Sequence, residues 1–242
     1  MDTVTRNKTI KLIGMNEADI RTSISDLIDN EDVKIEIKPF DAKTYIILSA
    51  DADTEEAAKD LIKPVSKEIK RRFGKYIYST KEKITLEMSV VNLLEKNELT
   101  ISTAESCTGG LLAGRLINVP GVSDVYKEGF ITYTNKAKRK TLGVNKSTLK
   151  KYGAVSEQTA KEMAVGAALA ADTDISISVT GIAGPDGGTN EKPVGLVYVG
   201  VCIKDIVHVE EFRFSGDRAN VREQTVICAL GLLRKYILEH FS

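Results

Sequence analysis

The sequence predicts an α/β protein, an open mixed sheet flanked by helices, preceded by a small N-terminal α+β unit of about 80 residues. Three observations predict it. From about residue 84 onward, apolar stretches of strand length alternate with stretches of helical length and period. The first 80 residues instead read β-α-β-β-α. Finally, two apolar strands run straight into glycine-rich loops, as in parallel sheets whose ligands sit at the strands' carboxyl ends.

In the leading unit, residues 8–13 read as a strand, Gly14 ends it, and a helix follows over 17–29. Residues 35–40 and 44–50 read as strands joined by a turn at 41–43. A helix over 54–72 is opened by Asp53, Thr54, Glu55 and Glu56 and stops before Gly74. This order predicts a three-stranded sheet with helices on one face. A polar stretch at 79–83 marks the change of character, so the domains are expected at 1–80 and 81–242. Beyond it, helices fit 84–97, 109–118, 157–171 and 218–240, and strands fit 99–104, 128–134, 175–180, 194–203 and 206–214. The last two strands form a hairpin-like pair, which makes the sheet mixed.

Composition excludes several classes. Apolar residues are 42% and charged residues 28%, as in a globular chain with a core. Lys plus Arg and Asp plus Glu are both 34, and residues 1–81 alone carry fifteen charges of each sign. No net field favours nucleic acid or an acidic membrane. Three cysteines and two histidines, all widely spaced, predict neither a disulfide framework nor a metal site. The N-terminal residues lack an apolar signal core, and no apolar stretch reaches the roughly 18 residues that span a bilayer. A cytoplasmic protein is expected, with no membrane partner.

The first loop, 105–110 (ESCTGG), joins a strand to a helix. Such a junction turns N–H groups outward toward anions, Gly109 and Gly110 permit close approach, and Ser106 and Thr108 supply hydroxyls. The plainer reading is a helix cap. The second loop runs from Gly181 through Gly184 to Pro193 with four glycines and two prolines, long enough to suggest function rather than connection. Lys192 stands at its end beside Pro193.

Neither His208 in the late hairpin nor His240 near the C-terminus is well placed as a base for Ser106. A nucleophilic serine would then need Lys, Tyr or a carboxylate. Tyr133 and Lys138 lie at a strand end and helix start. A lysine base needs its pKa brought from about 10.4 to about 7, by burial and neighbouring cations such as Lys192, Arg218 and Arg222. In isolation Lys138 reads as a solvated helix lysine. Arg218 and Arg222 open the terminal helix against its dipole, a conflict that a bound phosphate would relieve.

Six stretches, 103–110 (TAESCTGG), 129–135 (GFITYTN), 153–157 (GAVSE), 180–188 (TGIAGPDGG), 192–195 (KPVG) and 214–218 (FSGDR), occur in the order and spacing of one family. Over residues 84–242 the chain resembles the C-terminal domain of the competence/damage-inducible protein CinA, the nicotinamide-mononucleotide deamidase family. Residues 8–80 resemble the KH-like domain that precedes it, with the run Leu12 to Glu17 as the suggestive part. That unit lacks a Gly-x-x-Gly loop, so RNA binding by the usual KH route is not expected. An earlier molybdopterin-binding-like domain with a metal-dependent pyrophosphatase activity has no counterpart in these residues, and that activity is not credited to them.

The resemblance implies hydrolysis of nicotinamide mononucleotide to nicotinic acid mononucleotide and ammonia, without cofactor or metal, by a homodimer. It implies Ser106 as nucleophile, Lys138 as general base and Tyr133 beside them to orient or relay a proton. Glu105, Thr108, Gly109 and Gly110 would line the substrate pocket from one loop. Thr180, Gly181, Gly184 and Lys192 would do so from the other, with Arg218 binding phosphate and Arg222 beside it. The oxyanion would be held by N–H groups of the 107–110 turn or of the 180–184 loop. Three alternatives stand beside this: a non-catalytic nucleotide-binding module, an amidohydrolase of a phosphate-free amide, and, against the charge balance, a nucleic-acid-binding protein.

Overall fold

The computed structural model describes residues 3–241. The chain divides into two compact units, Met1–Leu86 and Glu87–Ser242. The polar stretch at 79–83 belongs to the first, where the Lys11 ammonium holds the carbonyls of Glu82 and Ile84.

In the first unit, β1 (Val4–Ile13), β2 (Lys34–Phe40) and β3 (Lys43–Ala52) pair antiparallel. Period-two alternation turns Thr44, Ile46, Leu48 and Ala50 of β3 inward. Helix α3 (Glu55–Phe73) seats Ala58, Ile62, Val65, Ile69 and Phe73 on the same core at helical spacing. Thr54 caps it by accepting from Ala57 N–H, as the sequence signal suggests. Two expectations need correction. The helix over 17–29 is broken at Ile24 into α1 (Glu17–Ser23) and α2 (Ser25–Ile28). The sheet has four strands, in order β2-β3-β1-β4, because β4 (Ile77–Ser79) pairs with β1. Three residues are too few to display alternation.

The second unit carries a five-stranded sheet in order β6-β5-β7-β8-β9. Strands β5 (Ile101–Glu105), β6 (Tyr126–Ile131) and β7 (Ile175–Gly181) are parallel, whereas β8 (Leu196–Ile203) pairs antiparallel with β7, and β9 (Ile206–Arg213) antiparallel with β8. The mixed sheet is as expected. Helices α4 (Leu86–Lys96), α5 (Leu111–Ile117), α6 (Asn135–Leu142), α7 (Lys146–Tyr152), α8 (Glu157–Ala171) and α9 (Arg218–Phe241) complete it. Helix α7 escapes sequence reading because seven residues give less than two full turns of period.

Helix α8 packs on the sheet through Ala160, Met163, Ala164 and Ala167, all fully buried. Their small size lets buried serines reach the helix backbone. Ser178, Ser176 and Ser102 donate to the carbonyls of Ala160, Ala164 and Ala167. Each buried hydroxyl is thereby satisfied, and the sheet is keyed to the helix at fixed register.

Candidate active site

Strand β5 lies between two parallel neighbours, so three strand ends converge at its carboxyl end. Ser106 N–H donates to Val179 O at 3.0 Å and Thr132 N–H to Glu105 O at 2.8 Å, which extends the pairing one step past each strand. Ser106 is thus fixed at the junction, with 8% of its surface exposed.

Lys138 arrives from α6. Thr134 caps that helix by accepting from Ala137 N–H at 3.1 Å. A first-turn side chain leans back toward the helix N-terminus. Lys138 follows that direction, and its Nζ reaches Ser106 Oγ at 2.9 Å, Thr132 O at 2.8 Å and Tyr133 O at 3.4 Å. The residue is 0% exposed and has no carboxylate among its partners. Burial brings its pKa from 10.5 down to about 8, with Cys107 acting the other way. The reading of Lys138 as a solvated lysine is overturned. Lys192, Arg218 and Arg222 do not cause the shift; their charges are held elsewhere.

An ammonium would donate to all three neighbours. A neutral amine has two N–H groups and one lone pair, and two of its neighbours are carbonyls that only accept. In the neutral form Ser106 is therefore the group that donates, handing its proton toward Nζ. Cys107, next in the chain, is buried and its thiol is pushed up to about 12, so it stays protonated.

Several residues assigned to substrate have other work. Glu105 is 1% exposed, and its carboxylate accepts from the N–H groups of Gly110, Leu112 and Ala113. It occupies the start of α5, so the anion site expected there is filled by the chain's own charge. Lys192 donates to the carbonyls of Tyr152 and Val155 and ties the second loop to the end of α7. Thr180 is fully buried and donates to Ala154 O. A Cβ on Gly181 would strike Val197 and the Leu196 carbonyl, so this glycine serves the β7–β8 approach.

Tyr133 is 59% exposed, and its hydroxyl accepts from Arg218 rather than meeting Ser106 or Lys138. Arg218 also donates to Gly184 O at 2.8 Å. Arg222 donates from Nε to Cys107 O at 3.0 Å and from Nη2 to Thr108 O at 2.8 Å. Gly109 and Gly110 both have positive φ, +58° and +96°, which shapes that turn. The hydroxyls of Thr108 and Thr132 are buried without a hydrogen-bond partner. Thr132 was missed by sequence reading. It supplies a backbone carbonyl, which no residue-type signal announces. Among the described residues no cluster of three or more His, Cys, Asp or Glu side chains suits a metal, and no helix is long and apolar enough to cross a membrane.

Fold and site together define an α/β protein with a buried serine–lysine pair at the carboxyl ends of parallel strands. Residues 83–237 match the CinA C-terminal domain, and residues 7–79 match the KH domain of damage-inducible protein CinA. The chain belongs to the CinA family. A competence-damage inducible protein of Clostridium novyi is 50% identical over 239 residues, 98% of this chain and 57% of its own length. A CinA-like protein of Kosmotoga olearia is 48% identical over 96% of this chain and 56% of its own. The chain therefore spans little more than half the length of these curated relatives. Among solved structures, the competence/damage inducible protein CihA of Agrobacterium tumefaciens is 46% identical, with TM-score 0.60, covering 61% of this chain and 91% of that one. The CinA superfamily protein of Escherichia coli is 39% identical, with TM-score 0.59, covering 64% and 93%.

Proposed function

We propose that this chain hydrolyses the carboxamide of nicotinamide mononucleotide, giving nicotinic acid mononucleotide and ammonia by way of an acyl-enzyme on Ser106. The observation that carries the reading is the Lys138 amine, fully buried, 2.9 Å from Ser106 Oγ and without a counter-charge among its partners. A buried amine of lowered pKa beside a hydroxyl is a general base with its nucleophile.

In this reading Ser106 Oγ bonds to the carboxamide carbon as its proton passes to Lys138 Nζ. The C–N bond then breaks, and the Lys138 ammonium returns a proton to the leaving nitrogen, which departs as ammonia. Water next attacks the acyl carbon, losing a proton to Lys138, and the Ser106 oxygen leaves and is reprotonated. The pyridinium charge makes the carbonyl more electrophilic. The substrate identity rests on the family resemblance, and the base–nucleophile assignment rests on the geometry.

The test is ammonia release from nicotinamide mononucleotide in EDTA by wild type, Ser106→Ala and Lys138→Ala. Turnover in the wild type and loss of about 10³-fold or more in both variants is expected. A Ser106→Ala protein that keeps near wild-type rate would sink the acyl-enzyme.

A further inference from the structure

We infer that the N–H groups of Thr108 and Gly109 are the oxyanion donors of this site, and that Arg222 is the positioning residue that aims them; this rests on the acyl-enzyme reading above. The Arg222 guanidinium spans two successive carbonyls of the turn after the nucleophile, Cys107 O at 3.0 Å and Thr108 O at 2.8 Å. A trans peptide unit is planar and carries its C=O and N–H on opposite sides. Holding the carbonyls of residues 107 and 108 against Arg222 therefore turns the N–H groups of Thr108 and Gly109 to the other face of the turn.

Those two N–H groups have no hydrogen-bond partner among the described residues, whereas the flanking ones do. Ser106 N–H is bonded to Val179 O, and Gly110 N–H to the Glu105 carboxylate. Cys107 N–H is directed at its own thiol, and the carbonyl of its peptide unit, on Ser106, is not held by Arg222. The Thr108 hydroxyl, fully buried and unpartnered, stands on one of the two residues concerned. A cation on the carbonyl ends of two peptide units also polarises them and strengthens their N–H donors.

A Cβ on Gly109 would meet Arg222 Nη2 only at 3.6 Å, an ordinary contact. Glycine is needed there for its φ of +58°, which turns consecutive N–H groups along the bend. In the rival loop Ile182 N–H is bonded to Leu196 O. The N–H groups of Ala183 and Gly184 are without a partner among the described residues, but no cation holds the carbonyls of their peptide units: Ile182 O accepts from Gly195 N–H, and Arg218 reaches Gly184 O. The peptide unit that Arg218 holds there, through Gly184 O, continues into Pro185, which has no N–H to aim.

This separates Arg222 from a phosphate-binding role, and the two roles move different constants. The 242-residue chain carrying Arg222→Met or Arg222→Lys is assayed on nicotinamide mononucleotide and on its phosphate-free riboside. The rate at which a fluorophosphonate modifies Ser106 is followed by intact mass. In that reaction Ser106 Oγ bonds to phosphorus, fluoride leaves, and the serine proton goes to Lys138.

Arg222→Met is expected to slow turnover by about a hundredfold or more on both substrates, with KM changed less than about threefold. Phosphonylation should slow by a similar factor. Arg222→Lys, which keeps the charge and fewer bonds, should fall between and serves alone if the Met variant does not fold. A rise in KM confined to the phosphorylated substrate, or turnover within about threefold of wild type, overturns the inference. If the wild type releases no ammonia, the substrate assignment fails, and phosphonylation still decides. Slowing in the variants upholds the donors, and an unchanged rate removes them.

Discussion

The Nζ of Lys138 and the Oγ of Ser106 lie 2.9 Å apart, from positions 32 residues apart in the chain, inside a pocket of backbone carbonyls. Among the described residues no carboxylate shares the amine, so burial is the larger influence on its pKa. Chemistry and stability both inherit a pH dependence from that arrangement.

Under the proposed reaction only the neutral amine accepts the serine proton. With a pKa of about 8, kcat/KM should rise about tenfold per pH unit below 8 and flatten above it. Lys138→Arg should be inactive across the range, because a guanidinium stays charged. A pH–rate profile flat from about 6 to about 9 would contradict this base.

Stability carries the opposite signature to that of a lysine whose pKa is raised by a carboxylate partner. The unfolded lysine titrates near 10.5 and the folded one near 8, so between those values the unfolded state binds more protons. Unfolding free energy contributed by this group therefore rises with pH through that window, by roughly 3 kcal/mol in all. Below about pH 8 the ammonium is buried and the contribution is lost. Urea unfolding at about pH 7.5 and about pH 10, compared between wild type and Lys138→Met, isolates the effect from the other groups. The methionine variant should lose the rise.

Glu105 should matter for folding rather than for substrate. Its carboxylate satisfies three backbone N–H groups at the start of α5 from a fully enclosed position. Glu105→Ala leaves those donors without their partner and is expected to cost about 3–5 kcal/mol. Glu105→Gln, which keeps an acceptor oxygen, should cost less. Chemical denaturation of both variants checks the order; equal, small losses would return Glu105 to the substrate.

Tyr133 and Arg218 should behave as a pair apart from the dyad. The tyrosine hydroxyl is bonded to Arg218, 3.2 Å away, so Tyr133→Phe should leave turnover within about threefold of wild type. Its effect on KM for nicotinamide mononucleotide should not add to that of Arg218→Ala in a double-mutant cycle. Turnover slowed about a hundredfold in Tyr133→Phe would put the hydroxyl back in proton transfer.

Much of the fold was legible because its signals are local. Strands of the second unit announce themselves as apolar runs, two of them ending in glycine-rich loops, and α3 by its opening residues 53–56 and its stop before Gly74. Short elements without a full period, β4 and α7, were not legible. Of the site, Ser106 and the turn at 107–110 were marked by residue type and order, and Lys138 by the family resemblance. Their partners were not. Glu105, Lys192 and Arg222 all bond backbone atoms, and a backbone acceptor or donor looks the same at every position of a sequence.

By itself, then, the sequence determined an α/β architecture, the family, the absence of a well-placed histidine and the candidate pair Ser106 and Lys138. Tertiary structure alone decided that Lys138 is buried, that its amine faces carbonyls rather than carboxylates, and that each nearby charge answers to the backbone. The reason is physical. Period, caps and turns depend on neighbours a few residues away, whereas desolvation and hydrogen-bond partnership depend on what the fold brings in from far along the chain. Arg222 and Cys107, 115 positions apart, are such a case.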